Sequence, residues 1–142
     1  MRLHDLVDLA ATRDPEAPAI VVDGRTISFG ALADRVDRLA RAIAAITGPG
    51  DRVAFLSENT LPFVDAYYGI PRAGRVLVPL NYRLHPREWA EQIARTRATV
   101  LIGEAALVDR LRPHVEGGTV HTVVTTDGTP SEYDAFTTAA PD

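Results

Sequence analysis

The 142-residue sequence contains no cysteine and no lysine. Without thiols there is neither a disulfide framework nor a thiolate metal site. Without an ε-ammonium the chain has no Schiff-base group, no catalytic amine and no phosphate-loop lysine of its own. All 15 basic residues are arginine, which with abundant Ala, Gly and Pro matches the codon bias of a GC-rich bacterial genome. No apolar run approaches the length of a membrane span, and Asp5 and Asp8 interrupt the start before a secretory core could develop. No basic block occurs and the net charge is −4, so nucleic acid is not an expected partner. His4, His85, His114 and His121 are scattered without an H-x-x-x-H pair, and no metal site is expected. The cytoplasm is the expected compartment.

What is present describes an ordinary globular domain. Hydrophobic residues make up 46% and charged residues 24%, which separates the chain from disordered and membrane classes. The length suits one compact domain.

Leu3, Leu6, Val7 and Ala10 recur at helical spacing up to Asp14-Pro15. Ala19–Val22 and Arg25–Ser28 read as two strands joined by Asp23-Gly24, a two-residue hairpin signal because both positions tolerate positive φ. Leu32, Val36, Leu39, Ile43 and Ile46 then form one helical stripe, with Ser28 as N-cap and Gly48-Pro49-Gly50 as the stop. On its opposite face Asp34–Arg38 and Asp37–Arg41 are i,i+4 pairs.

From there strands and helices alternate. Strands are expected at 52–56, 76–80, 99–102 and 120–124. Helices are expected around Phe63–Tyr67, ending or kinking at Pro71, then from Pro86 with Trp89 and Ile93 inward, then around Leu107–Val115. The strands are short continuous apolar runs, as in a parallel sheet covered by helices on both faces. The expected fold is α/β: an open, mostly parallel, doubly wound sheet preceded by a helix and a β-hairpin. Residues 1–124 are expected to form this Rossmann-like unit, and residues 125–142, rich in Thr, Asp, Gly and Pro, a linker-like tail with one helical turn near Glu132. The last run, Thr137 to Asp142, reads as interrupted rather than finished.

No G-x-G-x-x-G joins a strand to a helix. Ser57 lies between a strand and a helix but lacks the flanking glycines of a nucleophile elbow, so it is assigned no catalytic role. Of Tyr67 and Tyr68, one is expected in the core and one at its rim. One place does gather ligand-type groups. Ligands of open parallel sheets collect beyond the carboxyl ends of strands, and the strand ending at Leu80 opens into Asn81, Tyr82 and Arg83: an amide, a phenol and a guanidinium. Two roles are open: a phosphate-recognising corner, or a turn capped by Asn81 with Arg83 in a structural ion pair.

Ile27-Ser28-Phe29-Gly30-Ala31-Leu32 resembles the T-Y-x-E-L opening of the adenylate-forming superfamily, and Gly50-Asp51-Arg52-Val53-Ala54-Phe55-Leu56 its next signature. The most specific piece runs from Arg72 to Leu84, close to the K/R-A-G-x-V-x-V-P-L-N-x-R-L of fatty-acyl-CoA synthetases. Gly30, where an acidic residue is usual, and Pro71, within a normally uninterrupted helix, depart from the pattern. The resemblance implies a parent enzyme that joins a carboxylate to ATP, with Mg2+, and passes the acyl group to CoA, a fatty acid–CoA ligase of lipid metabolism. It implies that the phosphate loop, hinge and catalytic lysine belong to the remainder of the parent chain, leaving this fragment inactive with no cofactor bound. It also places CoA near Asn81, Tyr82 and Arg83. The alternative is a complete non-catalytic α/β module that binds CoA or a partner protein.

Apolar strands built for cover on both faces predict self-association wherever that cover is incomplete. Light scattering over a wide concentration range should show a dimer or larger species. A clean monomer that binds no hydrophobic dye would overturn this.

Overall fold

A computed structural model describes residues 1–139. The chain opens with helix α1 (Asp5–Arg13), then strands β1 (Pro18–Val22) and β2 (Arg25–Ser28). These pair antiparallel around Asp23 and Gly24, whose φ of 49° and 71° are the left-handed values that a two-residue hairpin turn demands. Helix α2 (Phe29–Ile46) starts where Ser28 accepts a hydrogen bond from the Ala31 amide. At its other end Arg75 donates to Ala44 O, Thr47 O and Thr47 Oγ1, satisfying terminal groups that the helix leaves unpaired.

Six further elements alternate: β3 (Arg52–Leu56), α3 (Leu61–Arg72), β4 (Val76–Leu80), α4 (Pro86–Thr96), β5 (Val100–Gly103) and α5 (Ala105–Val115). β6 (Thr122–Thr125) and α6 (Glu132–Thr138) complete the described chain. The four later strands form one parallel sheet in the order β4-β3-β5-β6. Pro79 stands opposite Phe55 in β4. Lacking an N–H, proline suits an outer strand such as this one.

Helices lie on both faces, so the expected doubly wound α/β fold is what forms. Val53 and Phe55 of β3 face Leu39, Ile43, Ala66 and Ile70 of α2 and α3. Ala54 and Leu56 face Trp89, Ile93, Val108 and Leu111 of α4 and α5. A third layer packs the hairpin and Val7 of α1 onto Leu32 and Val36 of α2. The four apolar side chains of β3 are fully excluded from solvent, which accounts for its unbroken apolar sequence.

Several expectations change. Only Val7 of the α1 stripe is buried, while Leu3 and Leu6 stay exposed, because the stripe meets α2 along a narrow line. The last strand begins at Thr122 rather than Val120, since its register with β5 starts at Val100↔Thr122. Of the two i,i+4 pairs on α2, Asp37–Arg41 closes at 2.9 Å, and Arg72 takes the other Asp37 oxygen while also reaching Asp8 at 2.6 Å. Tyr68 packs in the third layer and Tyr67 is exposed beside it, as the paired tyrosines suggested.

The largest correction concerns the tail. Residues 125–139 do not leave the domain as a linker: they fold back as α6, burying Tyr133 and Thr137. Residues 140–142 lie outside the described chain. Tyr133 and Phe136 pack into the core cluster of Leu39, Ile43 and Ile70, and Tyr133 also meets Asp65, a carboxylate on α3 that is only 1% exposed. A buried charge must be paired, and here Arg35 of α2 grips both oxygens at 3.0 and 2.6 Å while Tyr133 donates to Oδ2 at 2.9 Å. Burial would lower the pKa of Arg35, but the hydrogen bond to Asp65 and its charge raise it above the ordinary value.

Burial, and then the Asp65 charge, push the Tyr133 hydroxyl well above the usual tyrosine range. The folded protein therefore holds this proton more tightly than the unfolded chain, where tyrosine titrates near about 10. The stabilisation is complete below that value and is lost as pH rises above it, through the higher folded-state pKa. Urea unfolding should show wild-type stability falling above about pH 10 more steeply than that of Tyr133→Phe. Equal declines would show that Tyr133 does not carry the effect.

Candidate functional site

The strand order locates two places where a ligand could meet strand ends. From β3 the chain steps to β4 on one side, then crosses to β5 on the other. The switch point of the sheet therefore lies between the carboxyl ends of β3 and β5, the general ligand position in open α/β sheets.

That crevice is closed by its own chain. Gly103 ends β5 so near β3 that a Cβ there would sit 2.4 Å from Leu56 O, a gap in which only glycine fits. Glu104 donates its amide to Leu56 O at 3.0 Å and accepts the Glu58 amide on Oε2 at 2.7 Å. Asp127 Oδ1 accepts the amide of Ala105, the first residue of α5, at 2.6 Å. Glu132 Oε2 accepts both the amide and the hydroxyl of Thr125, at 2.8 and 2.9 Å. Those bonds, the backbone one first, hold the Glu132 carboxyl below its ordinary pKa.

The backbone donors that would cradle a phosphate at such a position are thus taken by carboxylates. Above them lies a hollow of about 360 Å³ whose lining includes Asp23, Glu58, Glu104 and Asp134 beside Arg25 and Arg35. Its acidity disfavours polyanions. Ser57, buried at the same edge, hydrogen-bonds Glu58 O and Thr60 Oγ1, neither of which is a general base.

The second place is the end of β4, where the structure brings Asn81, Tyr82 and Arg83 together as a tight turn. Asn81 Oδ1 accepts the Arg83 amide at 3.0 Å, and Asn81 O accepts the Leu84 amide at 3.0 Å. The Asn81 oxygen is therefore a turn cap, as one of the two open roles had it. Arg83 does not follow that role. Among the described residues no carboxylate lies within ion-pair distance of it. Its Nε donates to Tyr82 Oη at 3.2 Å, and its guanidinium carbon lies 5.5 Å from the Tyr82 ring centre. The hydrogen bond to Tyr82, then the Tyr82 and Glu58 charges, raise the Arg83 pKa, while slight desolvation opposes them. The corner presents an exposed, permanently charged fork beside a half-buried phenol.

The turn leads into α4 through His85, whose Nδ1 accepts the Arg87 amide while Glu88 accepts the His85 amide, a reciprocal cap. His85 and His114 stand with ring centres 6.4 Å apart. Among the described residues no three His, Asp or Glu side chains converge as a metal site would require.

Sequence reasoning missed Asp65, Glu104 and the indole of Trp89, which donates to Asn81 O at 2.7 Å. Asp65 did carry a signal: it is the lone charge in the apolar run Leu61–Ile70 and so demanded a partner.

Comparison with known proteins agrees with this architecture. Residues 7–142 match the family described as AMP-binding enzyme. A long-chain-fatty-acid–CoA ligase of Salmonella typhimurium is 33% identical over 126 residues, covering 87% of this chain and 22% of the relative. A fatty acid–[acyl-carrier-protein] ligase of Streptomyces coeruleorubidus is 34% identical over 107 residues, covering 75% of this chain and 20% of the relative. The chain thus spans about a fifth of the length of these relatives.

Among solved structures, a long-chain-fatty-acid–CoA ligase of Archaeoglobus fulgidus superposes with a TM-score of 0.89 at 21% identity, over 99% of this chain and 30% of that one. The N-terminal domain of FACL13 from Mycobacterium tuberculosis gives 0.87 at 24%, over 99% and 37%. At those identities the superpositions show the fold alone. The sequence match, which covers nearly the whole chain, shows more: the chain belongs to the AMP-binding enzyme family.

Proposed function

We propose that this chain is the N-terminal part of an ATP-dependent acyl-CoA ligase and that its β4 corner helps to bind CoA. The observation that carries the corner assignment is Arg83: an exposed guanidinium at the end of a parallel strand, without a carboxylate partner among the described residues. Relatives named as CoA ligases support the reaction class. In that reaction a carboxylate attacks ATP to give an acyl-adenylate and pyrophosphate, and the CoA thiol then displaces AMP.

The residues of this chain do not fit ATP or Mg2+. There is no lysine to meet a phosphate, the amides at the switch point are capped by Glu104 and Asp127, and among the described residues no three carboxylates converge. Those groups fall to the remainder of the parent chain. CoA fits better, because the free fork of Arg83 can pair with a phosphate and Tyr82 offers a ring beside it.

Purified chain mixed with ATP, labelled pyrophosphate and a panel of fatty acids should give exchange no greater than a no-enzyme control. Exchange clearly above that control would overturn the division of labour proposed here.

In the full-length parent, Arg83→Ala should raise the Michaelis constant for CoA by about tenfold to a hundredfold, the scale of a lost charge-assisted contact. Adenylation, which needs no CoA, should be nearly unchanged, as should the melting temperature. A parallel loss of both half-reactions would assign Arg83 to the fold instead.

A further inference from the structure

We infer that Trp89 is the positioning residue of the Asn81–Arg83 corner, holding the turn in the shape that presents Arg83 to a phosphate-bearing ligand. The inference rests on the CoA reading for the ligand and on the structure for the clamp.

Trp89 lies in the first turn of α4 and is fully buried, yet its indole N–H is not spent on its own helix. It crosses to Asn81 O at 2.7 Å, the first carbonyl after β4. That carbonyl also accepts the Leu84 amide at 3.0 Å, so both of its lone-pair directions are engaged. The opposite side of the turn is fixed by the Asn81 Oδ1 bond to the Arg83 amide. Arg83 therefore sits on a peptide held by three bonds, two within the turn and one from the helix behind it.

The indole is itself held. The guanidinium carbon of Arg110 on α5 lies 5.2 Å from its ring centre, and Ile93, Ala98 and Leu111 belong to the same core cluster. The His85–Glu88 cap keeps the start of α4 from fraying. A rigid support of this kind lowers the ordering cost of binding, because Arg83 need not search for its position. Any other apolar side chain of similar bulk would fill the core. Among apolar side chains, only an indole adds the N–H donor that tethers the turn.

Trp89 is the only tryptophan in the chain, so biosynthetic replacement by β-(3-benzothienyl)alanine, which keeps the shape and removes the N–H, alters this position alone. Trp89→Phe is the genetic counterpart. Two readouts are compared with wild type on the 142-residue chain. Amide hydrogen exchange at Arg83 and Leu84 should accelerate about three- to tenfold in either variant while the unfolding midpoint changes little, the scale of one net hydrogen bond. Calorimetric titration with CoA should show a dissociation constant weaker by a similar factor, with pantetheine, which carries no phosphate, unaffected by the change.

Unchanged exchange at Arg83 and Leu84 in the benzothienyl protein overturns the inference whether or not CoA binds. CoA binding that Arg83→Ala abolishes but both Trp89 variants leave intact also overturns it, while sparing the CoA reading. Absence of CoA binding to wild type, with exchange accelerated as expected, would remove the CoA reading and leave the clamp established. Should Trp89→Phe fail to fold, the benzothienyl protein, matched in volume, still decides.

Discussion

A single buried carboxylate organises one face of this protein. Asp65 lies on α3 where the helix meets the apolar layer, and solvent cannot reach it. An uncompensated charge there would cost several kcal/mol, whereas breaking a formed buried pair typically costs about 3–5 kcal/mol. The chain answers with the bidentate fork of Arg35 and the hydroxyl of Tyr133, drawn from positions 30 residues before and 68 residues after it in sequence. The same three groups decide where α2, α3 and α6 sit relative to one another. A second, more exposed arginine, Arg72, repeats the device on a smaller scale by joining α1, α2 and α3.

This explains which parts of the fold could be read from the sequence. The hairpin was legible because Asp23-Gly24 acts locally, through backbone φ. Helix α2 was legible because its stripe is periodic and its cap is three residues from the amide it accepts. The parallel sheet followed from continuous apolar strands that only cover on both faces explains. By contrast, α6 is short, and what places it is long-range: Tyr133 and Phe136 pack into the core cluster of Leu39, Ile43 and Ile70 while the Tyr133 hydroxyl reaches Asp65. Composition made residues 125–142 look like a linker with one helical turn near Glu132; the turn is there as α6, but its docking onto the core was not visible in local pattern.

At the candidate site the division is similar. Asn81, Tyr82 and Arg83 were visible as residue types at a strand end, and their turn is local. What was hidden was the contrast between the two strand ends. At the switch point Glu104 and Asp127 reach across loops to fill the amide positions, an arrangement that spacing alone does not announce. One strand further out, the Arg83 guanidinium is left, among the described residues, with the Tyr82 phenol as its hydrogen-bond partner. The chain thus closes the usual anion position of its fold and leaves a cation exposed beside it.

Pro79 in β4 has a consequence best put in the language of polymer chemistry. A sheet grows by adding strands to edges that still offer donors and acceptors. At β4 the proline removes a donor from an outer strand, so that side is the poorer template for a further strand. At β6, the other outer strand of the described residues, Glu132 occupies the Thr125 amide but leaves the rest of the strand unblocked by proline. The two edges of the sheet are therefore unequal: Thr122–Val124 of β6 offer an uninterrupted row of donors and acceptors, and the β4 edge does not.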